Sequence, residues 1–128
     1  MDMRPTARQQ ELIDLAAKLA REKFEPRAAE LDRDARFPFE DYDDLREAGL
    51  LALCVPEAYG GLGGDLETYV LVVEQLAKGN ASTALTYNMH CLTMLMMGEM
   101  ADAYEMDETQ RARHEKHRAA HFKEVVED

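Results

Sequence analysis

Between Lys78 and Glu99 the chain carries no lysine, arginine, aspartate or glutamate, although charged residues make up 32% of the whole. The run reads as a helix over roughly Ser82 to Gly98. A helix that is apolar nearly all round is buried nearly all round. It holds Asn80, Asn88, His90 and several threonines and is short, so it is too polar to span a membrane. A chain of 128 residues forms one domain with a modest core. The few other helices of so small a domain cannot wrap this one on every side. The sequence therefore predicts a helix that expects neighbours beyond the domain itself.

The remaining segments also read as helices, so the fold class is all-α, about five to six helices interrupted by a Gly-rich turn. Thr6 with Gln9 makes a capping box. Leu12, Ala16, Leu19, Ala20 and Phe24 then recur at helical spacing. Pro26 is expected to kink or end this first helix, because it removes a donor and crowds the preceding turn. The segment 27–34 continues it, and Phe37-Pro38 is a stop. Glu40 to Ala48 forms a second helix with Tyr42 and Leu45 inward and Gly49 just past its end. Leu50 to Val55 is an apolar run that fits either a strand or buried coil. Asp65 caps a third helix whose apolar side is Tyr69, Val70, Val72, Val73, Leu76 and Ala77, ending at Gly79. The last helix, within residues 105–128, is capped by Asp107 and highly charged, with apolar positions at Ala112, Ala119, Phe122 and Val126.

Charge and cysteine usage exclude some functions. A net charge of −11 repels nucleic-acid phosphate and anionic lipid, so neither nucleic acid nor membrane is expected as a partner. Cys54 and Cys91 make no C-x-x-C motif and no disulfide framework, which suits a reducing cytoplasm. The stretch MDMRPTARQQ has no apolar core of a signal peptide. On that reading the Asn80-Ala81-Ser82 sequon is coincidental.

Candidate chemistry is sparse. Gly60-Gly61-Leu62-Gly63-Gly64 is neither G-x-G-x-x-G nor a Walker loop, and its neighbours Glu57, Asp65 and Glu67 are acidic. It reads as a tight turn rather than a phosphate cradle or a floppy linker. His114, His117 and His121 share one side of the last helix, but no fourth ligand is evident and no metal is expected. In the uncharged helix Thr83, Thr86, His90 and Thr93 fall in one stripe, which suits an interface with another domain or a ligand. Asn88 stands apart among Ala84, Leu85, Met89 and Leu92; alone on an apolar face it is more often a satisfied core group than a ligand contact. The methionines read as adaptable packing. No nucleophile–base pair is legible, and no catalytic residue is expected in this chain.

The residues then resemble a known family. Phe37-Pro38, Leu45, Ala48-Gly49-Leu50-Leu51, Val55-Pro56-Glu57-x-Tyr59-Gly60-Gly61-x-Gly63, Glu74-x-Leu76-Ala77, Ser82 and His90 are similar in order and spacing to the amino-terminal helical domain of acyl-CoA dehydrogenases. The resemblance implies that residues 1–128 are that domain. It also implies a homo-oligomeric flavoenzyme of fatty acid metabolism whose middle and carboxy-terminal domains hold most of the FAD and the α-proton-abstracting glutamate. Residues 105–128 would lead toward the middle domain. By position Ala84, Leu85, Asn88 and Met89 resemble residues that line or close the acyl-CoA pocket. The residues after Gly98 keep Gln110-Arg111 but lack the family's following Leu-Pro, and in this they look closer to flavin-dependent monooxygenases of the same fold. Another class that fits the uncharged helix is a free-standing helical interaction module.

Overall fold

The structure, a computed structural model, describes residues 4–128, so Met1–Met3, part of the stretch read above as signal-free, lie outside the described residues. Every regular element among the described residues is helical. The α-helices are α1 (Ala7–Leu19), α2 (Glu25–Arg33), α3 (Phe39–Glu47), α4 (Leu66–Gly79), α5 (Ala81–Leu95) and α6 (Glu108–Glu127).

The α1 helix starts where the Thr6/Gln9 capping box predicts. Pro26 does not end it. A single widened π turn, Ala20–Phe24, precedes α2, and the Glu25 amide bonds to the Ala20 carbonyl. The proline's missing donor is thus absorbed within a turn that already departs from the regular ladder. The buried residues explain the wide turn: Leu12, Ala16, Ala20 and Phe24 recur strictly every four positions. A regular helix turns once in 3.6 residues, so such a row drifts around it unless one turn is looser.

Chain reversal at Ala35, a non-glycine residue at φ 48°, leads to α3, which Phe37-Pro38 opens. Gly49 leaves α3 at φ 76°, the left-handed position expected of it. Of the two forms open to the apolar run Leu50–Val55, strand or buried coil, the structure takes the buried, non-strand one. It is a short 3₁₀ turn, Leu50–Ala52, followed by a bend that buries Leu50, Leu53, Cys54 and Val55.

Asp65 Oδ1 accepts from the Thr68 amide at 2.9 Å and caps α4 as predicted. Asn80 joins α4 to α5, its Oδ1 accepting from the amides of Ser82 and Thr83. The asparagine of the sequon is thus the cap of α5. Gly79 remains inside α4, and a Cβ there would lie 2.5 Å from the Ala20 carbonyl oxygen, so α4 and the π turn approach to glycine distance. In the layer that results, α4 lies between α1 and α5.

The uncharged helix passes after Leu95 into a second π turn, Met96–Met100, which breaks at Gly98, where the sequence ends it. The Asp107/Gln110 capping box then starts α6. Its inward face is not quite the predicted one: Phe122 is fully buried and Val125 half-buried, while Ala112 and Ala119 face out and Val126 lies at the margin. Arg118 is buried among them. The core joins α1, α4, α5, the Leu50–Val55 bend and Phe122 into one cluster.

Candidate functional site

The α5 helix is covered on one side only. Tyr87, Cys91, Met94 and Leu95 pack inward with Ala84, whereas Leu85 is 65% exposed, Met89 59% and Met96 57%. Helix geometry explains how these exposed residues gather. At about 100° per residue, Leu85, Asn88, Leu92 and Met96 form one stripe of α5 with Met89 at its margin. Leu66, Val70, Val73 and Ala77 form one stripe of α4 in the same way.

Side-chain bonds orient the two stripes. Gln9 Nε2 donates to Thr68 Oγ1 at 3.1 Å, placing α1 on one flank of α4. Thr83 Oγ1 donates to Asp41 Oδ2 at 2.7 Å and Tyr42 Oη donates to Thr86 Oγ1 at 2.8 Å, placing α3 on one flank of α5. The opposite flanks of α4 and α5 meet, and the two apolar stripes lie side by side on the outside. Leu66 and Val70 are, like Leu85 and Met89, half or more exposed. The α5 part of this surface carries no charge, while Glu67, Glu74 and Lys78 are exposed beside the α4 stripe; an exposed apolar face of that kind marks an interaction or ligand-binding face.

The predicted site residues divide. Leu85 and Met89 lie on this face, with Asn88 half-buried between them; Ala84 is turned away, 2% exposed and part of the core. The threonine and histidine stripe has a different use from the expected one. Thr83 and Thr86 bond α3, and His90 Nε2 lies 2.7 Å from the Leu51 carbonyl, which can only accept, so that nitrogen carries the proton. Thr93 Oγ1 donates to the Met89 carbonyl within α5. Thr83, Thr86 and His90 thus join α5 to α3 and the 50–55 bend within this domain, while Thr86 and Thr93 remain exposed.

The Gly-rich turn is closed on itself. The amides of Gly61, Leu62, Gly63 and Gly64 donate to the carbonyls of Pro56, Ala52, Val55 and Leu53. A Cβ at Gly61 would lie 2.1 Å from the Val55 carbonyl oxygen, so the two backbone strands touch there. Amides already committed to carbonyls cannot cradle a phosphate, and the turn does not fit the pyrophosphate of a dinucleotide cofactor.

Other polar clusters are structural. Arg118 donates to Asp102 at 2.7 Å, to Glu115, to Tyr59 Oη and to the Met97 carbonyl, with its guanidinium 5.6 Å from the Tyr59 ring centroid. Hydrogen bonds from Tyr59 and Arg118 hold the Glu115 carboxyl below its ordinary range. His114 Nε2 lies 3.1 Å from the same Met97 carbonyl, which the break at Gly98 has freed. His114 is thereby a helix-end partner rather than a metal ligand, and no group of three metal-ligating side chains occurs among the described residues. Cys54 and Cys91 are free and buried; the hydrogen bond to Cys91 and burial push the Cys54 thiol well above its ordinary value, which makes it unreactive. A cleft of about 350 Å³ lies between the end of α2, Phe37 and the first turn of α5, but Arg36 at its rim is engaged by Glu30 and Glu40. No helix among the described residues is long and apolar enough to cross a membrane.

The outer side of α5, with Leu66 and Val70 of α4, offers exposed methionine, leucine and valine with one half-buried amide, Asn88. A family model described as "Acyl-CoA dehydrogenase, N-terminal domain" matches residues 6–113. The chain is 34% identical over 87 residues to a probable acyl-CoA dehydrogenase of Bacillus subtilis, covering 68% of this chain and 23% of the relative. It is 31% identical over 90 residues to the short-chain-specific acyl-CoA dehydrogenase of Clostridium acetobutylicum, covering 70% and 24%. Over 80 residues it is 40% identical to the cyclohex-1-ene-1-carbonyl-CoA dehydrogenase of Syntrophus aciditrophicus, covering 62% and 19%. The chain thus spans about a quarter or less of the length of these relatives. No solved structure matches it.

Proposed function

Because this chain belongs to the acyl-CoA dehydrogenase family, carrying its N-terminal domain over residues 6–113, we propose that it forms one wall of the substrate cavity of an FAD-dependent oxidoreductase acting on CH–CH bonds of acyl-CoA thioesters. The single observation that carries this reading is the exposed, charge-free outer face of α5, with Leu85 and Met89 on it. Leu85 and Met89 would lie along the acyl chain, with Asn88 as the one polar group beside it. Ala84 acts from behind, as the small residue that lets α5 seat on the core.

The flavin supplies the hydride acceptor when bound, and it belongs to middle and carboxy-terminal domains, toward which residues 105–128 lead. The domain's own task is to bind the chain and exclude water from it. A homo-oligomeric assembly, a place in fatty acid metabolism and a cytoplasmic location are parts of the same proposal; the two free cysteines are compatible with a reducing compartment.

The test is anaerobic mixing of the flavoenzyme that carries this domain with saturated acyl-CoA thioesters of graded length, followed by flavin absorbance. Bleaching is expected, and Leu85→Trp or Met89→Trp should move the preference to shorter chains. A flavin that no thioester bleaches, or a preference that neither substitution moves, overturns the reading.

A further inference from the structure

The Asp41 carboxylate is fully buried in a small, acidic domain and only half served. One oxygen accepts from Thr83 Oγ1 at 2.7 Å. The other has the Arg27 guanidinium at 3.2 Å but makes no hydrogen bond. Arg27 is committed elsewhere, to Asp44 and to the Lys23 carbonyl. A buried carboxylate with an unmet oxygen is costly, and it becomes far more so if its remaining donor is withdrawn.

That donor is on α5. Thr83 and Thr86, one turn apart on the same flank of the helix, bond to the adjacent α3 residues Asp41 and Tyr42. Two bonds at that spacing fix the rotation of α5 about its own axis. Leu85 and Met89 project away from α3, on the exposed side. On a helix of about 5–6 Å radius with side chains, a rotation of about 20° moves a side-chain tip by about 2 Å. We propose that Asp41 and Thr83 are positioning residues that lock the rotation of α5 and so set the depth of the acyl-binding wall formed by Leu85 and Met89.

The inference rests on the reading of α4 and α5 as that wall, and its test separates the two. In the flavoenzyme carrying this domain, the ratio of kcat/KM for long against short acyl-CoA thioesters is measured for Thr83→Val, Thr83→Ser and the control Tyr59→Phe. The control breaks a long-range side-chain bond, from Tyr59 to Glu115 of α6, that lies outside α3, α4 and α5. Thr83→Val should move the ratio by about tenfold, the scale on which an apolar pocket senses one methylene. Thr83→Ser, which restores the hydroxyl, should return the ratio to the parent value, and Tyr59→Phe should leave it unmoved. In the 128-residue chain, the labelled methionine methyl resonance of Met89 should shift with Thr83→Val and not with Tyr59→Phe. Should Thr83→Val not fold, Tyr42→Phe removes the neighbouring bond from a half-exposed position and should move the ratio in the same direction. An active parent whose ratio and methyl resonance respond to Thr83→Val no more than to the control overturns the positioning role alone. A parent flavin that no thioester bleaches overturns the functional reading, and the specificity claim with it.

Discussion

Tyr87 Oη donates to the Leu50 carbonyl at 2.5 Å from a position with no solvent exposure. One turn further along α5, His90 reaches the next carbonyl, Leu51. The apolar 50–55 segment therefore needs no partner strand, because α5 side chains take the Leu50 and Leu51 carbonyls and amides of the Gly-rich turn take those of Ala52, Leu53 and Val55. The Leu50 carbonyl keeps the Leu53 amide at 3.2 Å when the hydroxyl is removed. Tyr87→Phe should then cost about 1 kcal/mol, near the net value of one hydrogen bond. Urea unfolding followed by circular dichroism should show a lower midpoint at an unchanged slope.

Two glycines a dozen residues apart should respond differently to alanine. Gly49 adopts φ 76° with nothing within 4 Å of an added Cβ, so Gly49→Ala carries only the left-handed penalty of about 1–2 kcal/mol. At Gly61 the Cβ would collide with the Val55 backbone at 2.1 Å. Gly61→Ala should destabilise more than Gly49→Ala in parallel thermal melts, because backbone rather than a side-chain tip has to move.

Phe122 packs against Tyr59 with ring centroids 5.1 Å apart and is wholly buried, although it lies beyond the residues the family model matches. Phe122→Ala should cost about 3–5 kcal/mol, a large share of a typical total of about 5–15 kcal/mol. A chain cut after Arg113 loses Arg118 as well. It should keep far-ultraviolet helical signal while losing near-ultraviolet aromatic signal and binding a hydrophobic dye.

The Asp65 carboxyl is held below its ordinary value by the Thr68 amide and then by the Thr68 hydroxyl. A lowered folded-state pKa contributes stability that is complete above the unfolded value and lost as pH falls through the folded one. Asp65→Ala should cost about 1 kcal/mol near neutrality, and the gap from the parent should close on acidification below the ordinary aspartate range. Asp41 is displaced upward, chiefly by burial. Its contribution runs the other way, present at low pH and lost as pH rises through the raised value, so the parent should gain on Asp41→Asn as pH falls. Denaturant midpoints across that window measure both.

Neighbours on α5 should give opposite results. Leu85→Gln with Met89→Gln changes exposed positions and should shift stability by no more than about 0.5 kcal/mol. The exposed apolar face also predicts concentration-dependent self-association of the 128-residue chain, which the double substitution should weaken in sedimentation velocity. Ala84→Leu, one residue away, forces extra atoms into the core and should cost about 1–3 kcal/mol.

Much of this was legible because local chemistry and tertiary need agree. The caps Thr6, Asp65 and Asp107 and the left-handed Gly49 stand where the sequence places them. The absence of charge over α5 pointed to a helix that stays partly uncovered, without saying on which face. What escaped reading depended on partners distant in sequence. Nothing local says that Arg118 leaves solvent, since its acceptors come from Tyr59, Met97 and Asp102 as well as Glu115. The Thr83, Thr86 and His90 stripe looked like an outward seam because α3 and the 50–55 bend, which take its bonds, cannot be placed from periodicity alone. Pro26 marked the irregularity but not its place or cause: the looseness lies at Ala20–Phe24, where it serves the packing of Phe24, and the proline follows it in the first turn of α2.

That loose turn gives the first helical stretch one place where its length can change cheaply. It works as a phase corrector, keeping a four-residue rhythm aligned with a helix that wants a shorter one. Losing a single residue from Ala20–Phe24 would close the wide turn to a regular one and leave Leu31 and Arg27 near their present directions. The same loss within α2, between Arg27 and Leu31, would instead turn the two out of register by about 100° and should dismantle the α2–α3 corner.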